Sequence, residues 1–184
     1  MQYNVAQLLK GPTGAQRQFD LSEEIGDLDR DLEPLRPLVG AIKLIRTSQG
    51  ILVTGRLRTS IRTACRRCLE PADVDVELDL EEEFYPVVQI GDAPVDDVLD
   101  EDYDEALVID ELHILDLREV LRQGLWLAVP MEALCRPDCA GLCPTCGGNR
   151  NLGECSCHEI VIDPRWAALQ ALLPDESDSQ ERSD

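Results

Sequence analysis

The chain has 184 residues, with 17 Lys and Arg against 37 Asp and Glu, and only a handful of aromatics among its 43% hydrophobic residues. That length suits one domain, or one domain with a small appended module, whose core must be built from Leu, Val, Ile and Ala. A net charge of −20 repels polyanions at the scale of the whole molecule and excludes indiscriminate binding to nucleic acid or anionic membrane.

Residues 1–39 predict a strand, a loop and a short helix. Residues 39–47 and 51–64 predict two strands joined at Ser48-Gln49-Gly50. In the second strand Val53, Leu57 and Ile61 fall on one face, which leaves Arg56, Arg58 and Arg62 on the other. Residues 73–81 alternate strictly between acid and apolar, the pattern of a half-buried strand with Val74, Val76, Leu78 and Leu80 facing the core. The segment Cys65–Cys68 is then the connection of an antiparallel hairpin. From Glu70 to Glu111 the chain carries eighteen acids and no Lys or Arg, and its middle, residues 91–105, predicts an acidic loop. Residues 106–110 return to strand character. Asp116 predicts the N-cap of a helix through Ala128 with Leu117, Val120, Leu121, Leu125 and Ala128 on one stripe, ended by Pro130. Asp163-Pro164 predicts the start of a second helix carrying Trp166, Leu169 and Leu173, and residues 174–184 a disordered acidic tail.

No run approaches 18 apolar residues and the first residues lack a charged segment followed by an apolar one, so the expectation is a cytoplasmic protein. In a reducing compartment eight cysteines point to metal rather than disulfides. Cys143-Pro144-Thr145-Cys146-Gly147-Gly148 forms a tight turn whose glycine permits the positive φ of a metal knuckle. Cys155 and Cys157 complete a structural four-cysteine zinc site with Cys143 and Cys146. A second zinc site would take Cys65, Cys68, Cys135 and Cys139 and pin the hairpin connection to the C-terminal module; the alternative keeps these four as reduced thiols. His158, beside Cys157, reads as a surface histidine.

Residues 40–69 hold Lys43, Arg46, Arg56, Arg58, Arg62, Arg66 and Arg67 and no acid. Guanidinium forks suit phosphate recognition, so Arg56, Arg58, Arg62, Arg66 and Arg67 are candidate RNA-binding residues. The competing reading is neutralisation by cross-strand pairs such as Arg62–Asp73 or Arg58–Glu77, which a one-residue change of register would make or break. There is no Gly-rich phosphate loop, no recognisable nucleophile with its base, and no His-Glu metal motif, so the chain is not expected to be an enzyme.

Cys65-Arg66-Arg67-Cys68-Leu69-Glu70-Pro71, Leu127-Ala128-Val129-Pro130 and the block Leu134-Cys135-Arg136-Pro137-Asp138-Cys139-Ala140-Gly141-Leu142-Cys143-Pro144-Thr145-Cys146-Gly147 together resemble the YceD family, the large ribosomal RNA subunit accumulation proteins. The resemblance runs from about residue 20 to residue 173. It departs from the family pattern at Arg150, which interrupts the run before the last two cysteines. It implies a non-enzymatic bacterial or organellar factor that supports synthesis or processing of large-subunit (23S) ribosomal RNA, with zinc in a structural role. The partner would be that RNA or its precursor; the alternative is an acidic chaperone or adaptor for a basic ribosomal protein. The expected architecture is α+β. An antiparallel, barrel-like sheet with two or three helices fills residues 1–130, and a small C-terminal four-cysteine zinc module with its closing helix fills 131–173.

Overall fold

A computed structural model describes residues 1–87, 104–153, 155–157 and 165–166. The chain divides into two compact units, residues 1–139 and 140–184, whereas the sequence suggested a division at 130/131. The predicted acidic loop, apart from Asp104 and Glu105, lies outside the described residues, as do His158, most of the predicted closing helix and the acidic tail.

The first unit is one curled sheet. Its strands are β1 (Gln2–Asn4), β2 (Gln16–Glu23), β3 (Glu33–Pro34), β4 (Leu38–Arg46), β5 (Ile51–Ala64), β6 (Pro71–Pro86), β7 (Val108–Ile109) and β8 (Ile114–Asp116). A short helix α1 (Ala6–Leu9), a 3-10 turn (Glu105–Leu107) and the helix α2 (Arg118–Ala128) complete it. The strand order is β1-β8-β7-β6-β5-β4-β2, with β3 pairing β5 where β4 has ended. Tyr3 on β1 and Phe19 on β2 belong to strands at opposite ends of this order. Their ring centroids lie 5.0 Å apart, so the sheet curls until its two edges touch. That is the barrel-like arrangement expected, though the edges touch through side chains and exchange no backbone ladder among the described residues. Glycines where strands approach closely permit the curl: a Cβ on Gly40 would come within 2.3 Å of the Arg56 carbonyl oxygen, and one on Gly55 within 2.7 Å of the Ala41 carbonyl oxygen.

The sheet is not wholly antiparallel. Strands β6 and β7 run parallel, Tyr85 beside Val108 and Pro86 beside Ile109. A parallel neighbour needs a crossover connection rather than a hairpin. The dominant feature is the β5–β6 hairpin, paired without interruption from Ile51↔Phe84 to Ala64↔Pro71. Strand β6 therefore extends beyond the predicted 73–81 at both ends, because the partner strand continues to offer ladder hydrogen bonds where the alternation fades. Its inner row meets the core as expected: Leu57 opposes Leu78 and Ile61 opposes Val74, with Leu57, Ile61 and Val76 buried.

Helix α2 closes the barrel with the predicted stripe, Leu117, Val120, Leu121 and Leu125 all being buried. It starts one residue later than predicted. Leu117 occupies the cap position, and Asp116 acts from just outside by accepting the Arg118 N–H at 2.9 Å. The largest fully buried side chains are aliphatic apart from Phe84, so the few aromatics are not the mass of the core. Truncating one of them, such as Leu57→Ala, is expected to cost about 2–5 kcal/mol.

The second unit is described over 140–153, 155–157 and 165–166. Its regular structure there is a single antiparallel bridge, Leu142↔Asn149, around the Cys143–Gly148 turn. Arg165 and Trp166 lie in a 3-10 turn rather than the predicted α-helical start.

Candidate metal centres and the basic strand

Two quartets of cysteine converge. Cys65, Cys68, Cys135 and Cys139 form the first, and Cys143, Cys146, Cys155 and Cys157 the second; within each quartet the sulfurs lie within 4.8 Å of one another. These are the two groupings that the spacing predicted, and each could hold a metal ion. All eight thiols are free of disulfides.

The first quartet is assembled by the hairpin tip. The Cys65 N–H donates to the Glu70 carbonyl at 2.8 Å and the Leu69 N–H to the Cys65 carbonyl at 2.9 Å, which folds Cys65–Glu70 into a tight knuckle. The turn needs a left-handed residue after the second cysteine, and Leu69 takes it at φ 63°. The stretch after α2 is then laid against the tip: the Arg66 N–H donates to the Ala133 carbonyl at 2.9 Å and Arg67 Nη1 to the Cys139 carbonyl at 3.0 Å. Sulfur pairs approach to 3.8 Å (Cys65–Cys139) and 3.5 Å (Cys68–Cys135). Cys65, Cys68 and Cys139 are buried and Cys135 is exposed.

The second quartet repeats the knuckle. The Cys143 N–H donates to the Gly148 carbonyl at 2.8 Å, the Gly147 N–H donates to the Cys143 carbonyl at 2.9 Å, and Gly147 sits at φ 72°. The Thr145 N–H points at Cys143 Sγ, 3.4 Å away. Cys143 is buried, Cys157 half-buried, and Cys146 and Cys155 exposed.

Each quartet polarises its thiols in opposite directions. At Cys65 burial disfavours the thiolate, but N–H donors from Cys135, Cys68 and Arg67 outweigh it and bring the thiol down to about 6. Cys143 is lowered to about 6 by the Cys146 and Thr145 amides. Cys135, although exposed as a residue, is pushed up to about 12 by desolvation of its sulfur inside the quartet and then by its neighbours' sulfurs. Cys157 is pushed up to about 12 first by its contact with Cys146 and then by burial. A sulfur cage with one ready thiolate and neighbours that resist further negative charge has the donors to hold a cation.

The arginines occupy the exposed face of β5. The register places Arg56 opposite Asp79, Arg58 opposite Glu77 and Arg62 opposite Asp73. Arg56 Nε donates to Asp79 Oδ1 at 2.7 Å, Arg58 Nε to Glu77 Oε1 at 2.6 Å, and Arg62 grips both Asp73 oxygens at 2.7 and 3.1 Å. Ser60 fills the remaining step, its hydroxyl donating to Asp75 at 2.5 Å. At the tip Arg66 pairs with Glu132. The cross-strand pairing open at the sequence level is thus present along the whole row. Arg56 and Arg58 keep 65% and 67% of their side-chain surface exposed, and pairs that wet are each worth about 0–1 kcal/mol.

Sequence reasoning missed two features. A network fastens α2 to the β2–β3 connection: Arg118 meets Asp27 at 2.9 Å, while Arg122 and Trp126 Nε1 share Asp29 Oδ2 at 3.2 and 3.0 Å. Its only sequence signal was the i,i+3 pair Glu119–Arg122. The left-handed Leu69 had no signal at all, because the positive φ belongs to the knuckle and not to leucine.

A family model described as large ribosomal RNA subunit accumulation protein YceD matches residues 53–173, from the start of β5 through the second quartet. The chain belongs to the YceD family. Among its relatives, an uncharacterized protein of Mycobacterium tuberculosis is 37% identical over 139 residues, covering 75% of this chain and 63% of that protein. A maize protein described as large ribosomal RNA subunit accumulation protein YCED homolog 1, chloroplastic, is 30% identical over 172 residues, covering 81% of this chain and 58% of its own. A Mycobacterium leprae uncharacterized protein is 27% identical over 133 residues, covering 72% and 57%. The chain thus spans less than two thirds of the length of these relatives. No solved structure matches it. The family carries its role in its name, large-subunit ribosomal RNA accumulation, and the matched span contains all eight cysteines and Arg56, Arg58, Arg62, Arg66 and Arg67. No helix among the described residues is long and apolar enough to cross a membrane.

Proposed function

We propose that this chain is a non-enzymatic cytoplasmic factor that supports synthesis or processing of large-subunit (23S) ribosomal RNA, holds a structural zinc ion in each cysteine quartet, and contacts RNA through Arg56, Arg58, Arg62, Arg66 and Arg67. Zinc fits the donor set. A regular tetrahedron of thiolates with Zn–S near 2.3 Å has sulfur–sulfur edges of about 3.8 Å, and the first quartet already holds pairs at 3.8 and 3.5 Å. Four thiolates fill the coordination shell and leave no open position for a reactive water, which is the pattern of structural rather than catalytic zinc.

The observation that carries the RNA reading is a single row of guanidinium groups running along the exposed face of β5 to the tip that holds Cys65 and Cys68. Their carboxylate partners are solvent-exposed, so exchanging one for a phosphate oxygen forfeits little. The test is in-cell crosslinking followed by sequencing of bound RNA, with Arg58, Arg62, Arg66 and Arg67 all changed to Glu. Loss of precursor crosslinks with an unchanged circular dichroism spectrum is expected, and undiminished crosslinking sinks the assignment.

One observation favours a second reading, in which an acidic adaptor binds a basic ribosomal protein through residues 92–105 and the C-terminal tail. Every arginine on the β5 face meets an acid in register, so the arginines would serve the hairpin and not a ligand. Deleting residues 92–105 separates the two, because only the adaptor loses its protein partner.

A further inference from the structure

The two flanks of α2 are treated differently by the rest of the first unit. One flank is sealed by the chain itself through Arg118–Asp27, Arg122–Asp29 and Trp126–Asp29. The other faces β6 across an open groove of about 400 Å³. Helix and strand meet at Gly124, where a Cβ would come within 2.9 Å of Leu78 Cδ1. Beyond that pinch the groove has an apolar floor of Leu78, Leu80 and Val120, and Leu127 stands on its lip with 88% of its surface exposed.

The rim is acidic. Asp104, Glu81 and Glu82 line it together with Glu77 and Asp79, and no Lys or Arg among the described residues does. Glu77 and Asp79 are neutralised by Arg58 and Arg56 on the opposite face of the hairpin. Glu81 and Glu82 have no cationic partner among the described residues, and the Asp104 carboxylate accepts only the Ala106 N–H, which leaves its charge uncompensated. Glu82 also breaks the alternation of its strand. It stands in the inward-facing row between Leu80 and Phe84, a position that an acid tolerates only because the groove opens there.

An apolar floor with an uncompensated carboxylate rim excludes phosphate-bearing ligands and anionic membranes by repulsion, and a chain of −20 disfavours a second copy of itself. We infer that the α2–β6 groove docks a basic polypeptide segment of a partner protein. An aliphatic side chain seats against Leu127, Leu80 and Val120 while flanking Lys or Arg side chains face Glu82 and Asp104, with Glu81 adding negative charge at the outer lip. This surface is independent of the arginine row, and it shares Asp104 with the adaptor stretch 92–105.

The test uses the full-length, metal-loaded chain and a fluorescent synthetic peptide of lysines with leucines at helical spacing, read by anisotropy at 0.15 M salt. Leu127→Arg, at a position too exposed to unfold the protein, is expected to weaken binding about tenfold, as removal of one buried aliphatic anchor does. Changing both Glu81→Lys and Glu82→Lys is expected to weaken it at least as much, and Glu82→Gln by less. Replacing the peptide's leucines by alanine should have the same effect as Leu127→Arg. The inference is overturned if the wild-type chain does not bind, if the alanine peptide binds equally, or if the groove variants bind like wild type. It is also overturned if Asp96→Asn, Asp97→Asn and Asp100→Asn together abolish binding that the groove variants leave intact; that result would instead support the adaptor reading.

Discussion

The two cysteine knuckles are the same turn in different settings. Cys65–Glu70 and Cys143–Gly148 close with the same pair of backbone hydrogen bonds and the same left-handed fifth residue. The first knuckle crowns a long, continuously paired hairpin, and three of its four sulfurs are buried. The second rests on one backbone bridge among the described residues, and two of its sulfurs are exposed. A metal in the first setting staples a structure that hydrophobic burial already holds. A metal in the second supplies most of what holds the turn, since no aliphatic side chain is buried among the described residues of that unit.

The sharpest way to break this comparison is to remove the ligands one quartet at a time. Cys146→Ser should lower the metal content by one ion per chain and abolish the ordered structure of residues 140–157, while the hairpin unit keeps its cooperative melting. Cys68→Ser should also lose one ion, but leave a folded barrel whose melting temperature falls by roughly 10 °C or more, corresponding to several kcal/mol. Calorimetry with metal analysis reads both, and equal consequences at the two sites would remove the distinction.

Proton competition should act on both quartets alike. Cys65 and Cys143 sit at about 6, so at neutral pH each presents a thiolate, and the metal must displace protons from Cys135 and Cys157, which sit at about 12. Without metal, the stabilisation carried by the two lowered thiols is complete above their ordinary value of 9 and is lost as the pH falls through 6. Metal affinity, measured against a chelator, should therefore fall steeply below pH 6, with protons released on binding at pH 7. A flat profile from pH 7.5 to 5 contradicts the assignment.

The fifth residue offers a smaller, mirrored test. Leu69 holds a positive φ that costs an L side chain about 1–2 kcal/mol, and it is largely exposed, so Leu69→Gly should raise stability by up to about 1 kcal/mol. Gly147→Leu should lose a similar amount and weaken metal retention at the second knuckle. Urea melts of the two variants should shift in opposite directions.

The smallest effect is expected where α2 meets the β2–β3 connection. Glu119 is lowered to about 2 by its hydrogen bonds from Arg122 and Gln123. Its contribution is complete above its ordinary value of 4.5 and disappears as the pH falls toward 2. Arg122→Ala should cost about 1 kcal/mol or less at neutral pH, the ordinary worth of wet ion pairs, and nothing further in acid. Paired melts at pH 7 and pH 2 check the sign.

By itself the sequence determined the elements whose signal is local. The alternation of residues 73–81 set the inner row of β6, the stripe of Leu117, Leu121 and Leu125 set the buried face of α2, and cysteine spacing sorted eight thiols into the two quartets that the fold brings together. These were legible because side-chain periodicity and metal bite are properties of a few neighbouring residues. Tertiary structure alone decided the rest. It matched the β5 arginines to the β6 acids, since a slip of one residue would have turned them to opposite faces. It placed β7 parallel to β6, and curled the sheet until Tyr3 met Phe19. It also forced Leu69 into a left-handed turn and left one flank of α2 open above Leu80. Each of these depends on which distant segments meet, and that is settled by the packing of the whole unit rather than by any run of residues within it.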